Sequence, residues 1–430
     1  MMNIKVLKFG GTSQIINTYK MISSIIKRDQ QNKYIVVLSA VSNVTNKLIE
    51  FVNTKNFSIW DEVIEMNKKL VPDRFESIDF IKNIKEKSWN LDNDKIEIIA
   101  MGEFFTTNIL NDYLNKDNIK SNFVSSFDVI NSNEQNNNTF YNKGQFTVNS
   151  KILLENLATN QVLVVPGFSG VSSDGKPCLL GRGGSDTSGS IIAASVNARE
   201  YQIWTDVDGI YSSDPRKIKN TFLIKNIGYS QAQEVAAMGA KVIHPFCILP
   251  CAQKNIPILI KNTFRPDNEC TVINNQPNLS KDKLIGITIQ PNITVFKITS
   301  INMWNNYGFV YHIFSIFKKY NVDVNIINTS QFNITTTTED TCLDNLLKVK
   351  KCLEEDYSVE MLSNNSLLSV IGENIHHYKN IGKLFEITQK YDILLTSYSS
   401  NDMTLSWVVK ERENELANEL HQVIILPSNV

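Results

Sequence analysis

Short, largely apolar runs separated by segments of helical spacing govern the first two-thirds of this 430-residue chain. They lie at Ile4–Leu7, Tyr34–Leu38, Ile96–Ile99, Val162–Val165, Gln202–Trp204 and Ile258–Ile260. A strand with one wet face alternates polar and apolar residues, whereas a strand apolar on both faces must be covered on both. Strands of the second kind, each followed by a helix, predict a buried, mainly parallel sheet between two helical layers, a three-layer αβα fold. Ligands in such sheets gather at the C-terminal ends of the strands. Several polar residues stand at those ends here: Lys8, Ser39 and Thr205-Asp206.

The chain exceeds what one hydrophobic core usually supports, so two or three domains are expected. With 43 basic against 44 acidic side chains, the formal charge of -1 provides no field to attract nucleic acid or an anionic membrane. No run of about eighteen apolar residues is present to span a bilayer. The first strand begins within a few residues of Met1, which leaves no room for a cleavable leader, and a cytoplasmic location is expected. The cysteines at 178, 247, 251, 270, 342 and 352 form no CxxC pair and have no His at zinc-like spacing. Reduced, mostly buried thiols and no structural metal are expected, with His376-His377 a solvated loop pair.

Two glycine loops suggest two anionic ligands. Lys8-Phe9-Gly10-Gly11-Thr12-Ser13 follows the first apolar run, and Gly181-Arg182-Gly183-Gly184-Ser185-Asp186 precedes the small-residue helix candidate 190–198. Glycines let backbone N–H groups approach an anion, and the following helix adds a favourable dipole. Glu103 follows Gly102 beyond the Ile96–Ile99 run. It either complements a helix dipole or, with Arg182, forms a clamp for a zwitterion, one charge for an ammonium and one for a carboxylate. The run from Trp204 to Arg216 carries Thr205, Asp206, Tyr211 and Arg216 in one loop, suited to a nucleotide or simply to a soluble surface. Lys241 adds a further charge downstream. Neither the P-loop nor the dinucleotide fingerprint occurs.

Residues 43–90 read as a helical excursion broken at Pro72-Asp73, and Asn131–Asn138 as a polar surface loop. After about residue 275 a βαββα pattern appears twice. The first copy comprises Asn292–Thr299, Gly308–Tyr320, Val322–Asn328, Phe332–Thr338 and Asp344–Glu354. The second comprises Leu367–Ile371, Ile381–Tyr391, Ile393–Ser399, Met403–Val409 and Glu413–Val423. A duplicated α+β module behind a catalytic-looking domain suggests ligand sensing.

The two glycine loops, Ser39-Ala40 with Val44-Thr45, Gly102-Glu103, Gly167-Phe168, Trp204–Arg216 and Gly239–Pro245 together resemble the ordered motif set of aspartate kinases. These enzymes have the amino-acid kinase fold, and the tail is similar to their paired ACT domains. The resemblance implies a catalytic domain over 1–275 and ACT domains over 276–362 and 363–430, with strand exchange between them possible. It implies transfer of the γ-phosphoryl group of ATP, with Mg²⁺, to the β-carboxylate of L-aspartate. Lys8 and Asp186 would be catalytic. Gly10, Gly11, Thr205, Asp206, Tyr211, Arg216 and Lys241 would join Lys8 at ATP, and Ser39, Thr45, Glu103, Phe168, Arg182 and Ser185 would hold aspartate. Met303, Gly308, Phe309, Val324, Asn325, Thr329 and Ser330 would form an amino-acid effector site at the ACT domains, and a homodimer is the implied minimum.

Two departures stand out. Thr187-Ser188-Gly189 replaces the Tyr-Ser-Ala common in the family, and Asn325 and Gln331 stand where lysine-inhibited relatives carry carboxylates. The alternative readings are a same-fold kinase with another acidic substrate and a catalytically silent amino-acid sensor. A fused homoserine dehydrogenase is not expected, because the chain ends at Val430 directly after the second repeat.

Overall fold

A computed structural model describes residues 2–425 apart from 72, 74, 88, 92, 136–144, 241, 276–283, 305–306 and 341. It divides into two compact units, one of Met1–Ile210, Leu223–Ala236 and Lys241–Asn278, the other of Tyr211–Phe222, Ala237–Ala240 and Leu279–Val430.

The first unit is built on eight strands: β1 (Ile4–Phe9), β2 (Lys33–Leu38), β3 (Ser121–Phe123), β4 (Val162–Pro166), β5 (Glu200–Thr205), β6 (Asn226–Gly228), β7 (Ile258–Asn262) and β8 (Thr271–Asn274). Their order is β6-β8-β7-β5-β1-β2-β4-β3. All neighbours are parallel except β7 with β8, so the expected mainly parallel sheet is present, with its last two strands reversed at one edge. Central β1 pairs with β2 on one side and β5 on the other, which places Phe9 level with Leu38 and Trp204.

One face of the sheet offers Leu7, Phe9, Tyr34, Val36, Leu38, Val162 and Val164. These pack with residues of helices α1 (Ile16–Arg28), α2 (Val44–Thr54) and α3 (Lys95–Lys116). Helix α4 (Gly184–Ser195) contacts β1, β2 and β5. No helix among the described residues is long and apolar enough to cross a membrane.

Ile96–Ile99 is not a strand but the first turn of the 22-residue α3. Every residue from Ile98 to Thr107 is buried, so apolar side chains cover the whole circumference and the 3.6-residue period disappears from the sequence. Asn131 and Ser132 likewise belong to a short strand, Ile130–Ser132, which pairs with Phe146–Val148 and Ser169–Val171; residues 136–138 of the expected loop lie outside the described residues. Within 43–90, helices form at Val44–Thr54, Phe57–Lys68 and Asp79–Glu86.

The second unit is a six-stranded antiparallel sheet of β9 (Leu284–Thr299), β10 (Ile327–Thr329), β11 (Asn333–Glu339), β12 (Ser358–Gly372), β13 (Ile393–Tyr398) and β14 (Thr404–Val409), ordered β10-β11-β9-β12-β14-β13. Both long strands are shared by the two repeats. Ile293–Thr299 pairs with β11, while Leu284–Gln290 pairs with the far half of β12. Left-handed residues at Asn292 (φ 61°) and Asn364 (φ 63°) mark the irregularity where one repeat passes into the other. The boundary expected between 362 and 363 therefore falls inside a continuous strand.

Tyr211–Phe222, expected within the catalytic domain, belongs to this unit. Ile218 packs with Leu284, Ile287 and Leu420, and the Ser212 carbonyl accepts from the Ile287 N–H at 2.7 Å. Ser212 Oγ lies 2.8 Å from Nε2 of His421, whose buried ring is held below the ordinary histidine range by desolvation. All six cysteines are free; three are buried and Cys342 is exposed. His376 is exposed, as expected, and pairs with Asp402.

Candidate functional site

The end of β1 builds the first glycine loop. Phe9 stacks on Trp204 with ring centroids 5.6 Å apart, which anchors the strand end, and Lys8, pointing to the other face, is only 8% exposed. The Gly10 N–H donates to the Trp204 carbonyl at 3.1 Å, and the Gly11 carbonyl accepts from the Ser42 N–H at 3.2 Å. A Cβ on Gly11 would lie 2.9 Å from the Ala40 carbonyl oxygen, so only glycine permits this approach to the end of β2.

Helix α4 opens at Gly183, which takes a left-handed conformation, and carries Asp186 in its first turn. The Asp186 carboxylate forms an ion pair with the Lys8 ammonium. The Thr187-Ser188-Gly189 departure has a structural counterpart here. A Cβ on Gly189 would fall 2.5 Å from Oη of Tyr201, whose ring fills that space while its hydroxyl donates to the Asp186 carbonyl at 2.9 Å.

Glu103 comes from the middle of α3. It is 3% exposed, its Oε2 has no hydrogen-bond partner, and burial pushes its carboxyl up to about 8; backbone N–H groups of Ala40 and of Glu103 itself, then the Lys8 charge, offset part of that rise. Burying a carboxylate is costly, so this environment favours the protonated form.

A cleft of about 340 Å³ brings these groups together. Lys8, Asp186 and Gly11 line it, as do all six residues expected at the amino-acid substrate: Ser39, Thr45, Glu103, Phe168, Arg182 and Ser185. Arg182 has no ion-pair partner among the described residues. Phe168 holds φ at 69°, a left-handed conformation that costs a bulky residue about 1–3 kcal/mol, and such strain concentrates at ligand sites. Asn43, itself at φ 71°, and Asn46 also line the cleft and were missed. Their signal was the polar Ser42-Asn43-x-x-Asn46 segment after β2. His244 was missed as well; its ring packs against Gly183, and no local pattern announces that contact.

Thr205 closes β5, beside the end of β1, and Asp206 follows it, with the Thr205 carbonyl accepting from the Thr263 N–H at 2.8 Å. Tyr211 and Arg216 belong to the other unit. The Arg216 guanidinium grips Asp214 at 2.9 and 3.0 Å and holds that carboxyl below its usual range. Lys241 lies outside the described residues.

Of the expected effector residues, Asn325, Thr329 and Ser330 are exposed, and Gly308 (φ 88°) caps the helix Phe309–Lys319 facing open space. Phe309 and Val324 are half-buried against the core of the first repeat. Met303 is 2% exposed among Phe296, Ile313 and Phe317, so its side chain supports the core of the first repeat.

Residues 3–262 match the model of the amino acid kinase family, and the chain belongs to that family. It is 31% identical over 97% of its length to a bifunctional aspartokinase/homoserine dehydrogenase of Buchnera aphidicola, of which it spans 56%. With an aspartokinase of Rickettsia felis the identity is 30%, over 70% of this chain and 69% of that one. The crystal structure of E. coli aspartokinase III in complex with aspartate and ADP matches at a TM-score of 0.83 and 25% identity, covering 98% of this chain and 99% of the other. Within the family, the chain stands with the aspartokinases.

Proposed function

We propose that the cleft holds L-aspartate with its ammonium at Glu103 and a carboxylate at Arg182, and that the terminal phosphoryl group of ATP meets the other carboxylate beside Lys8. The chain is an aspartate kinase, making 4-phospho-L-aspartate for the synthesis of lysine, threonine and methionine. The observation that carries the substrate assignment is Glu103, a buried carboxyl with an unpartnered oxygen in the same cleft as a lysine–aspartate ion pair. A ligand ammonium supplies what that oxygen lacks. Arg182 offers a planar fork for a carboxylate 79 residues further along the chain.

The β-carboxylate of aspartate has an ordinary pKa near 4, so it attacks already ionised and no general base is needed. Its oxygen bonds to the γ-phosphorus as the bond to the β–γ bridging oxygen breaks and ADP leaves with the electron pair. The protein's part is alignment and charge neutralisation. Lys8 places a cation at the transferring group, and Asp186 fixes the ammonium. Gly10 and Gly11 form the phosphate turn, with Thr205 and Asp206 at the nucleoside side. Mg²⁺, held mainly by the nucleotide phosphates, would supply further neutralisation. Among the described residues no group of three His, Cys, Asp or Glu side chains is placed to hold a metal ion.

Residues 1–275 would form the catalytic domain and the C-terminal repeats a regulatory pair. Ile301, Tyr307 and Tyr311, at 84%, 100% and 80% exposure, support pairing of the first repeat with a second copy. The enzyme would work in the cytoplasm.

Calorimetric titration with aspartate tests the clamp. At pH 7 a carboxyl titrating near 8 is about 90% protonated. Binding an ammonium forces it to ionise, so roughly 0.9 proton per aspartate is expected to be released, measured from the buffer dependence of the heat. Binding without proton release would refute the role of Glu103. Added lysine is expected to inhibit weakly or not at all, because Asn325 and Gln331 lack the charge to grip a cation, and Asn325→Asp is expected to strengthen inhibition. Inhibition by micromolar lysine in steady-state assays of the unmodified protein would contradict this.

A further inference from the structure

Behind the phosphate turn lies a buried chain of polar groups for which the reaction as described has no use. Gln14, 3% exposed, folds its side chain back beneath the turn. Its Nε2 donates to the Gly10 carbonyl at 3.2 Å and, more weakly, to the Phe9 carbonyl at 3.4 Å. Its Oε1 accepts from the Tyr19 hydroxyl at 3.3 Å, and the same hydroxyl lies 3.2 Å from the Thr106 carbonyl oxygen. Thr106 Oγ1 in turn donates to the Ser39 carbonyl at 3.1 Å and the Glu103 carbonyl at 3.0 Å.

The amide has only one workable orientation. Turned over, it would set Oε1 against two carbonyl oxygens, acceptor against acceptor. Burial pushes the Tyr19 phenol well above its usual range, so it keeps its one proton and shares it between Gln14 and Thr106. Tyr19 is fully buried within the same apolar cluster as Phe9, Val44 and Phe105. Polar groups in such a core cost desolvation that an apolar pair of the same volume would avoid, which leaves placement as the reason for having them.

The two ends of the chain identify what is placed. One end holds the Gly10 carbonyl inward. Because C=O and N–H of a trans peptide point in opposite directions, this turns the Gly11 N–H the other way, toward the cleft that Gly11 lines. The other end is the stretch of α3 carrying Glu103, together with the carbonyl of Ser39. Resting on the aspartate reading above, we propose that Gln14 and Tyr19 are positioning residues for phosphoryl transfer. They form a strut that fixes the phosphate turn relative to the groups holding the acceptor, and so sets the approach of carboxylate oxygen to phosphorus. Neither residue touches substrate.

Tyr19→Phe removes one hydroxyl and keeps the ring, and Gln14→Met keeps the length and loses the amide. Each is expected to lower kcat about tenfold, while calorimetric Kd values for aspartate and ADP change less than about threefold, since each half-site stays intact. The double variant should be no slower than the slower single one, because both changes cut one strut. Unchanged kcat with a lowered Tm would mean a packing role only and would overturn the proposal. So would independent losses multiplying to about a hundredfold in the double variant. If Gln14→Met does not fold, Tyr19→Phe decides alone. Lys8→Ala measured in parallel separates the failures. A slow Lys8→Ala beside a normal Tyr19→Phe removes only the strut, whereas a fully active Lys8→Ala removes the reading of the cleft and the strut with it.

Discussion

Lys8→Ala is expected to lower kcat by about 10³-fold while ADP affinity falls only a few-fold. A cation aimed at a transferring phosphoryl group acts where charge is redistributed in the transition state, and single preorganised groups of this kind are worth about 10²–10³ in rate. The setting strengthens the effect: Lys8 is 8% exposed and its ammonium is fixed by the Asp186 carboxylate, so it needs no reorganisation when the phosphoryl group moves. Removing it also leaves Asp186 without its counter-charge, so Tm should drop, and Asp186→Asn in the Lys8→Ala background should recover part of the stability but none of the rate. Lys8→Arg is not expected to rescue turnover, because a planar fork does not fit where a compact ammonium sits. Steady-state kinetics with calorimetric ADP titration checks the assignment. Parallel losses in kcat and ADP affinity would make Lys8 a binding residue instead.

Glu103→Gln is expected to raise KM for aspartate by about 10²-fold with kcat within a few-fold of normal. The substitution keeps shape and removes the charge that meets the ammonium, an interaction worth about 1.5–3 kcal/mol as a charge-assisted hydrogen bond. In the unmodified enzyme aspartate affinity should climb with pH up to about 8, where Glu103 ionises unaided, and then level off. The variant should lose both that slope and the proton release. Stability should respond in the opposite sense. The folded protein keeps the Glu103 proton up to about 8, whereas the unfolded chain loses it near 4.5. Between those values the folded state binds more protons, so this residue's contribution to stability falls as pH rises through the window and is constant above it. The glutamine variant should therefore gain Tm relative to the parent as pH is raised from about 4.5 to 8. A KM unmoved by the substitution would place the ammonium elsewhere.

Much of this site was legible because its charges stand where strands stop. The apolar runs ending near Phe9, Leu38 and Thr205 were readable one by one, and the rule that ligands collect at strand ends did the rest. Glu103 was found for a partly wrong reason. It lies in mid-helix, in a segment buried on every side, where periodicity carries no information. Other features depend on contacts that local pattern does not encode. His244 lies under Gly183 from 61 residues away, and Thr106 reaches Ser39 across 67. Tyr211–Phe222 reads as the tail of a catalytic motif, yet Ile218 is buried in the core of the second unit, a choice made by the strand beginning at Leu284. The repeat was visible as a pattern of elements. That both long strands run through both copies did not follow from the pattern; strand exchange entered only as a possibility from the resemblance, and the pairing of β9 along the whole of β12 is what shows it.

The central claim is that one cleft joins a zwitterion clamp to a phosphoryl-transfer pair. It is tested most directly by ATP-dependent acyl-hydroxamate formation with L-aspartate, L-glutamate and succinate compared at equal concentration. Rapid hydroxamate formation from L-aspartate, with succinate at least about 10²-fold slower for want of an ammonium, is the expected result. No ATP-dependent product from aspartate, or succinate turning over as fast as aspartate, would contradict the account.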